Sequence, residues 1–320
     1  MKTLFALTLA GACSAVHAQT PANNPMPDGS RDMYVGLGIV SSSKYEGADS
    51  ARISLQPVLQ AEWSNGLFVS GGQAGWHLSR QSSFEYGLLA GVQGRRSESG
   101  NTSGVLGTSL QSADAIYNAS TSPSGGITVT DPGLVTGVPP TTGVPPITGD
   151  TTNKGNQAPV VRNANRLRGM EVVKARLQGG GFVNYYLAPD IRLTSSLLYG
   201  GGRERAGVLM HIGIQRTARS IAPHHSLSFG AGMNIVNGSY NNTFFGVTPS
   251  ESLKSGNPVY QAHGGIKDIH ATVRWNWSLS PSWMLASSAQ VGSLQGSAKR
   301  SPLVERPTTY SVSTALAYRF

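Results

Sequence analysis

His77, His211, His224, His225, His263 and His270 are the groups in this sequence best suited to move a proton. Hydrolysis or transfer of an acyl chain would need one of them within hydrogen-bond reach of a serine, with an acid to orient the ring. On alternating strands His211 and His270 point the same way as Ser196, Ser226 and Ser228. Spacing alone sets none of these at nucleophile distance, and a histidine inside a polar network is the plainer reading. His224 and His225 follow Pro223 in a short turn, where adjacent side chains diverge, so they make a poor chelate and no metal site is expected. The one cysteine, Cys13, lies in the first apolar stretch, so neither a disulfide framework nor thiol chemistry is expected. No catalytic constellation and no cofactor motif emerges.

The elements that must carry these side chains are strands. Segment after segment repeats with period two. Met33, Val35, Leu37 and Ile39 alternate with Tyr34, Gly36 and Gly38, and Phe84, Tyr86, Leu88, Ala90 and Val92 alternate with Glu85, Gly87 and Gln93. Ile269, Ala271, Val273, Trp275 and Trp277 oppose Asp268, His270, Thr272, Arg274 and Asn276. Residues 67–77 read as one return strand after the turn Ser64-Asn65-Gly66. Aromatic residues sit at strand ends, among them Trp63, Tyr86, Tyr185, Trp277, Trp283 and Tyr318. Residues 310–320 alternate to the end, with Leu316, Tyr318 and Phe320 on one face as an outer-membrane C-terminal signal. No segment reaches 18 consecutive apolar residues, and mean hydropathy is −0.16. In a transmembrane barrel only every second residue meets lipid, so a slightly polar average is expected. A soluble sandwich or barrel would also alternate; the aromatic ends and the terminal Phe favour the membrane. The fold class is therefore all-β, a transmembrane antiparallel barrel with periplasmic termini. Alternation yields eleven segments, whereas single-chain bacterial barrels have even numbers. Twelve strands is the expectation, the missing one placed in the long break, for instance at 126–130; ten is the alternative.

Residues 1–18 read as a signal peptide: Lys2, an apolar run, then small residues around Ala18. Ala10-Gly11-Ala12-Cys13 loosely resembles a lipoprotein box, but the Ala18 site matches better. Residues 97–168 are rich in Gly, Ser, Thr and Pro and contain a tandem repeat, Thr136-Gly137-Val138-Pro139-Pro140-Thr141 and then Thr142-Gly143-Val144-Pro145-Pro146-Ile147. That composition predicts a disordered loop insertion in a barrel of residues 19–320. The formal charge of +9 would suggest nucleic acid. An exported chain makes outer-membrane lipid and the phosphates of lipopolysaccharide the expected partners instead. Arg203, Arg205, Lys299, Arg300 and Arg306 fall in loops assigned to the cell surface.

Alternation also aims a mixed set of charges inward: Glu62, Glu85, Lys174, Arg176, Arg192, His211, Asp268, His270, Arg274 and Arg319. Such a set either lines a selective pore or pairs into a network that blocks it.

The chain resembles the MipA/OmpV family of outer-membrane proteins. The resemblance rests on Val35-Gly36-Leu37-Gly38-Ile39 with Lys44-Tyr45-Glu46-Gly47-Ala48-Asp49, and on Gln60-Ala61-Glu62-Trp63-Ser64-Asn65-Gly66-Leu67-Phe68. It rests also on Asn242-Thr243-Phe244-Phe245-Gly246-Val247-Thr248-Pro249, Gly264-Gly265-Ile266-Lys267-Asp268, and the Tyr318-Arg319-Phe320 ending. It leaves out the Pro-rich insertion. It implies a barrel without enzymatic activity, a scaffold joining a lytic transglycosylase to a penicillin-binding protein. Other members are described as porins, adhesins or antigens, which keeps a small diffusion channel or a surface adhesin open as alternatives.

Overall fold

The structure is a computed structural model that describes residues 32–63, 65–80, 83–102, 165–222, 224–280 and 282–319. The expected signal 1–18, the segment 126–130 and Phe320 lie outside the described residues.

Twelve antiparallel strands close a barrel. In chain order they are β1 (Asp32–Ser43), β2 (Ala51–Glu62), β3 (Leu67–Ser70), β4 (Gln73–Arg80), β5 (Phe84–Gln93), β8 (Arg176–Ala188), β9 (Ile191–Gly201), β10 (Gly207–Ala222), β11 (His225–Val236), β12 (Gly265–Ser278), β13 (Trp283–Leu294) and β14 (Thr308–Arg319). A hairpin of β6 (Arg95–Ser97) and β7 (Gly100–Thr102) stands apart from the wall. β1 pairs with β14, Gly36 opposite Ala317, and this seam closes the ring. β5 shows why these segments fold so: Phe84, Tyr86, Leu88, Ala90 and Val92 face out while Glu85, Gly87, Leu89, Gly91 and Gln93 are buried within.

The twelfth strand is not where the sequence suggested. Residues 67–77 are two strands, β3 and β4, joined by a turn at Gly71 and Gly72. Gly71 takes φ 58, a left-handed conformation that glycine adopts without strain. With an even count, both chain ends of the wall lie at one end of the barrel. The long connection from β5 to β8 and those after β9, β11 and β13 then lie at the other.

The terminal end carries an aromatic belt. Trp283 meets Tyr318 edge-on at 5.1 Å, and the His225 ring lies 5.7 Å from Trp275 and 5.4 Å from Trp277. Such amphipathic rings suit the lipid–water boundary.

Candidate functional site

Two polar networks fill part of the lumen. Near the terminal end, His77 Nδ1 sits 2.7 Å from Glu85 Oε1. Glu85 Oε2 accepts hydrogen bonds from Asn184 Nδ2 and the Tyr186 hydroxyl, both at 3.1 Å. Arg192 donates to Gln215 Oε1 at 2.8 Å. These groups come from β4, β5, β8, β9 and β10, so the network cross-links one side of the wall. Each charge is partnered, as an interior of low polarisability requires.

The second network lies toward the opposite end. His211 Nδ1 is 3.2 Å from Asn234 Oδ1, Asn234 Nδ2 donates to Asp268, and His270 Nδ1 is 3.0 Å from Asp268 Oδ1. The two imidazoles stack at 5.4 Å. Lys267 Nζ ties this network to the loop after β1, 2.6 Å from Glu46 and 3.0 Å from Asp268. Neither His211 Nε2 nor His270 Nε2 has a hydrogen-bond partner among the described residues. The site therefore holds a histidine–aspartate pair with no serine hydrogen-bonded to either Nε2 among the described residues; Ser196 lies opposite His211 across the β9–β10 ladder without bonding to that nitrogen.

Of the remaining inward candidates, Arg274 is buried inside the barrel, while Glu62 and Arg176 lie partly exposed at opposite rims. Lys174 is not in the wall: it is exposed in the extended segment before β8. Arg319 ends β14, opposite Tyr34, and Leu316 and Tyr318 occupy the same strand. Lys267 was missed because strict alternation sends it outward with Ile269. A register shift between Asn234 and Ile235 breaks that alternation and turns the ammonium inward.

A folded cap lies across the opposite end. It is built from the loop 44–50, the β6–β7 hairpin, residues 165–175, and the connection after β11, with α1 (Gly238–Phe245) and α2 (Pro249–Ser255). The connection after β13, with the short α3 (Gly296–Lys299), completes it. Asn237 caps α1 by accepting from Tyr240 N–H. Thr248 and Glu251 form a reciprocal capping box at α2, with Pro249 in its first turn.

The cap has its own apolar core. Tyr45, Ala48, Leu167, Met170, Val247 and Leu303 pack in one cluster, and Phe245, Ala262, Leu294 and Ala298 in another, with Tyr260 touching both. The Tyr45 hydroxyl donates to the Leu303 carbonyl at 3.1 Å. Burial, reinforced by the Glu305 charge, pushes that hydroxyl well above its ordinary pKa. Arg96 donates to the Phe244 carbonyl from inside the cap. Burial, then the nearby Arg203 guanidinium, lowers Arg96 to about 10. Arg203 pairs with Glu251 and, at 3.4 Å, with Glu171; Arg306 pairs with Asp49 at 3.0 Å. Arg205, Lys299 and Arg300 are exposed on the same end.

Burial alone would raise the Glu251 carboxyl. Hydrogen bonds from Thr248 N–H and from the Arg203 guanidinium outweigh it and hold the group below its ordinary value of 4.5. A carboxylate with a depressed folded pKa adds stability above its unfolded pKa and loses it as pH falls through the folded value. Amide exchange in residues 238–255 is therefore expected to quicken as pH drops below about 4.5, after correction for intrinsic rates. Glu251→Gln should flatten that dependence; an identical profile in the variant would rule Glu251 out as its source.

The family model described as "MltA-interacting protein MipA" matches residues 35–320. Among solved structures, the NanC porin is 7% identical, over 90% of this chain and 100% of its own, with a TM-score of 0.38. The Pseudomonas putida toluene transporter TodX is 9% identical, over 96% and 93%, with a TM-score of 0.33. A Pseudomonas aeruginosa FadL homologue is 9% identical, over 91% and 89%, also with 0.33. No curated protein sequence matches the chain.

Proposed function

The chain belongs to the MltA-interacting protein MipA family, and from that premise we propose that it acts by contact: a non-enzymatic outer-membrane barrel that holds peptidoglycan-remodelling enzymes, a lytic transglycosylase and a penicillin-binding protein, from the periplasmic side. The observation that supports contact over passage is the cap. Its two apolar clusters and the Lys267–Glu46 pair occupy the end where solutes would otherwise enter from outside. On this reading the lumen networks keep the barrel rigid under a load applied at its terminal end. Arg205, Lys299 and Arg300, on the capped end, are placed to meet lipopolysaccharide phosphates by charge-assisted hydrogen bonds.

Purified protein immobilised in detergent is expected to retain a purified lytic transglycosylase and a bifunctional penicillin-binding protein above the level of an unrelated barrel. Retention of neither would overturn the reading.

A small diffusion channel is the second reading. It is favoured by a partly exposed polar strip on the inner face of β12, β13 and β14: Thr272, Ser288, Gln290, Ser311 and Ser313. Those residues leave the lumen less filled there than beside β8 and β9, where Asn184, Arg192, Thr194 and Ser196 are buried.

A further inference from the structure

The wall beside β2 is incomplete among the described residues. β2 pairs with β1 from Ala51 to Glu62, yet on its other side it pairs with β3 only at Gln60, Ala61 and Glu62. β3 is four residues long and turns back at once. Gly71 N–H bonds to the Leu59 carbonyl at 2.9 Å, and Trp63 N–H to the Leu67 carbonyl at 2.8 Å. Odd-numbered residues of β2 thus aim their backbone groups toward β3, because the direction alternates along an antiparallel strand. Ile53, Leu55 and Pro57 aim theirs the same way, where no described strand receives them. Pro57 has no N–H to lose, and proline inside a sheet belongs on an open edge. The composition of β2 agrees with its topology.

The gap is framed. Its foot is the Gly71–Gly72 turn, where Val92 N–H bonds to the Gly72 carbonyl at 3.2 Å. At its head the β6–β7 hairpin leans on the loop after β1: Gly100 lies so close to the Lys44 carbonyl that a side chain would overlap it. An open sheet edge is not tolerated against hydrocarbon, but it is tolerated where it lines a water-filled cavity.

The lumen beside the gap is apolar in part. Phe68, Gly75, Leu89, Gly180 and Leu198 are successive partners along one ladder row, from β3 to β9. Phe68, Leu89 and Leu198 pack with Phe182 as one buried apolar cluster of the interior, separate from that of Val58, Ala315 and Ala317. On the outer face of β2, Ile53 is 74% exposed and Leu55 48%.

We propose that this gap is a side portal through which a small single-chain amphiphile passes between the lumen and the bilayer. Its apolar chain lies against Ile53 and Leu55 and then the Phe68 row; its polar head meets the backbone groups of the β2 edge and the inward Ser54 and Gln56. Passage is sideways because the cap lies across the axial route. The proposal is independent of any periplasmic partner.

Residue-resolved hydrogen exchange in lipid nanodiscs tests the edge. Ile53 and Leu55 amides are expected to exchange at least about tenfold faster than those of Ser54 and Gln56, which face β1. Equal protection would mean that the edge is covered, and would overturn the portal. A diazirine-bearing medium-chain fatty acid tests the passenger, with a diazirine phospholipid as the measure of ordinary lipid contact. Photolabel from the free acid should concentrate on residues 51–58 and Phe68 beyond the phospholipid background. Labelling spread evenly around the lipid-facing belt, or no greater than that of the phospholipid, would overturn it.

Discussion

Lys267→Met is expected to detach the cap from the barrel while leaving the barrel folded. Lys267 is 1% exposed and holds two carboxylates at once, Glu46 of the loop after β1 and Asp268 of its own strand. Removing one partner of a buried ion pair leaves the others uncompensated, at a cost of about 3–5 kcal/mol. Two carboxylates would then face each other without a cation between them. The loop 44–50 would be the first to yield, and Tyr45 and Ala48, which lie in the cap's apolar core, would go with it. Asp268 would keep its hydrogen bonds from Asn234 and its contact with His270, so β11 and β12 should remain paired. The variant should still migrate as a folded barrel in unheated gels, yet be cut faster by protease within 44–50 and 237–264. Adding Glu46→Gln should recover part of the loss, since one orphaned charge is gone. Unchanged cleavage in Lys267→Met would show that the apolar clusters hold the cap without this pair.

Gly36→Val acts at the opposite level, on closure of the ring. Gly36 faces Ala317 across the β1–β14 seam, and a Cβ there would overlap the Leu316 carbonyl. The obstructing atom is backbone, so no rotamer change relieves it. Overpacking a tight site costs about 1–3 kcal/mol, and more when main chain must shift. The seam joins the first strand to the last, so this cost falls on the step that completes the barrel. Folded yield is expected to fall sharply, read as loss of the compact band before heating. Gly179→Ala is the control: a Cβ there meets nothing within 4 Å, and the variant should fold as the parent does. Normal folding of Gly36→Val would mean that the seam is looser than its geometry.

Most strands were legible because one face of each meets lipid and the other the lumen, and period two records that difference directly. The failures have local causes. The turn at Gly71–Gly72 is so short that residues 67–77 pass for one strand, although the inward face switches from Phe68 and Ser70 to Gln73, Gly75 and His77. The Gly-Gly pair was the available signal. Lys267 was hidden by a register shift that no single-sequence pattern announces.

The cap has no period, so alternation assigns it no element. Its helices still leave marks: Asn237 before α1, and Thr248, Pro249 and Glu251 spaced as a capping box. Three stretches that carried the family resemblance fall at this end. Residues 44–49 supply Glu46, residues 242–249 bridge α1 and α2, and residues 264–268 supply Lys267. What the alternation could not describe, the resemblance had marked, without saying what those residues build.

The central claim is that this barrel works by contact at its periplasmic end rather than by passage through its capped one. Binding of a purified lytic transglycosylase to the protein in nanodiscs, measured by surface plasmon resonance for the parent and for Lys267→Met, tests it most directly. Saturable binding of equal strength by both is the predicted result, because the cap lies at the far end of the barrel. No binding to the parent, or binding that appears or vanishes with the cap, would contradict the claim.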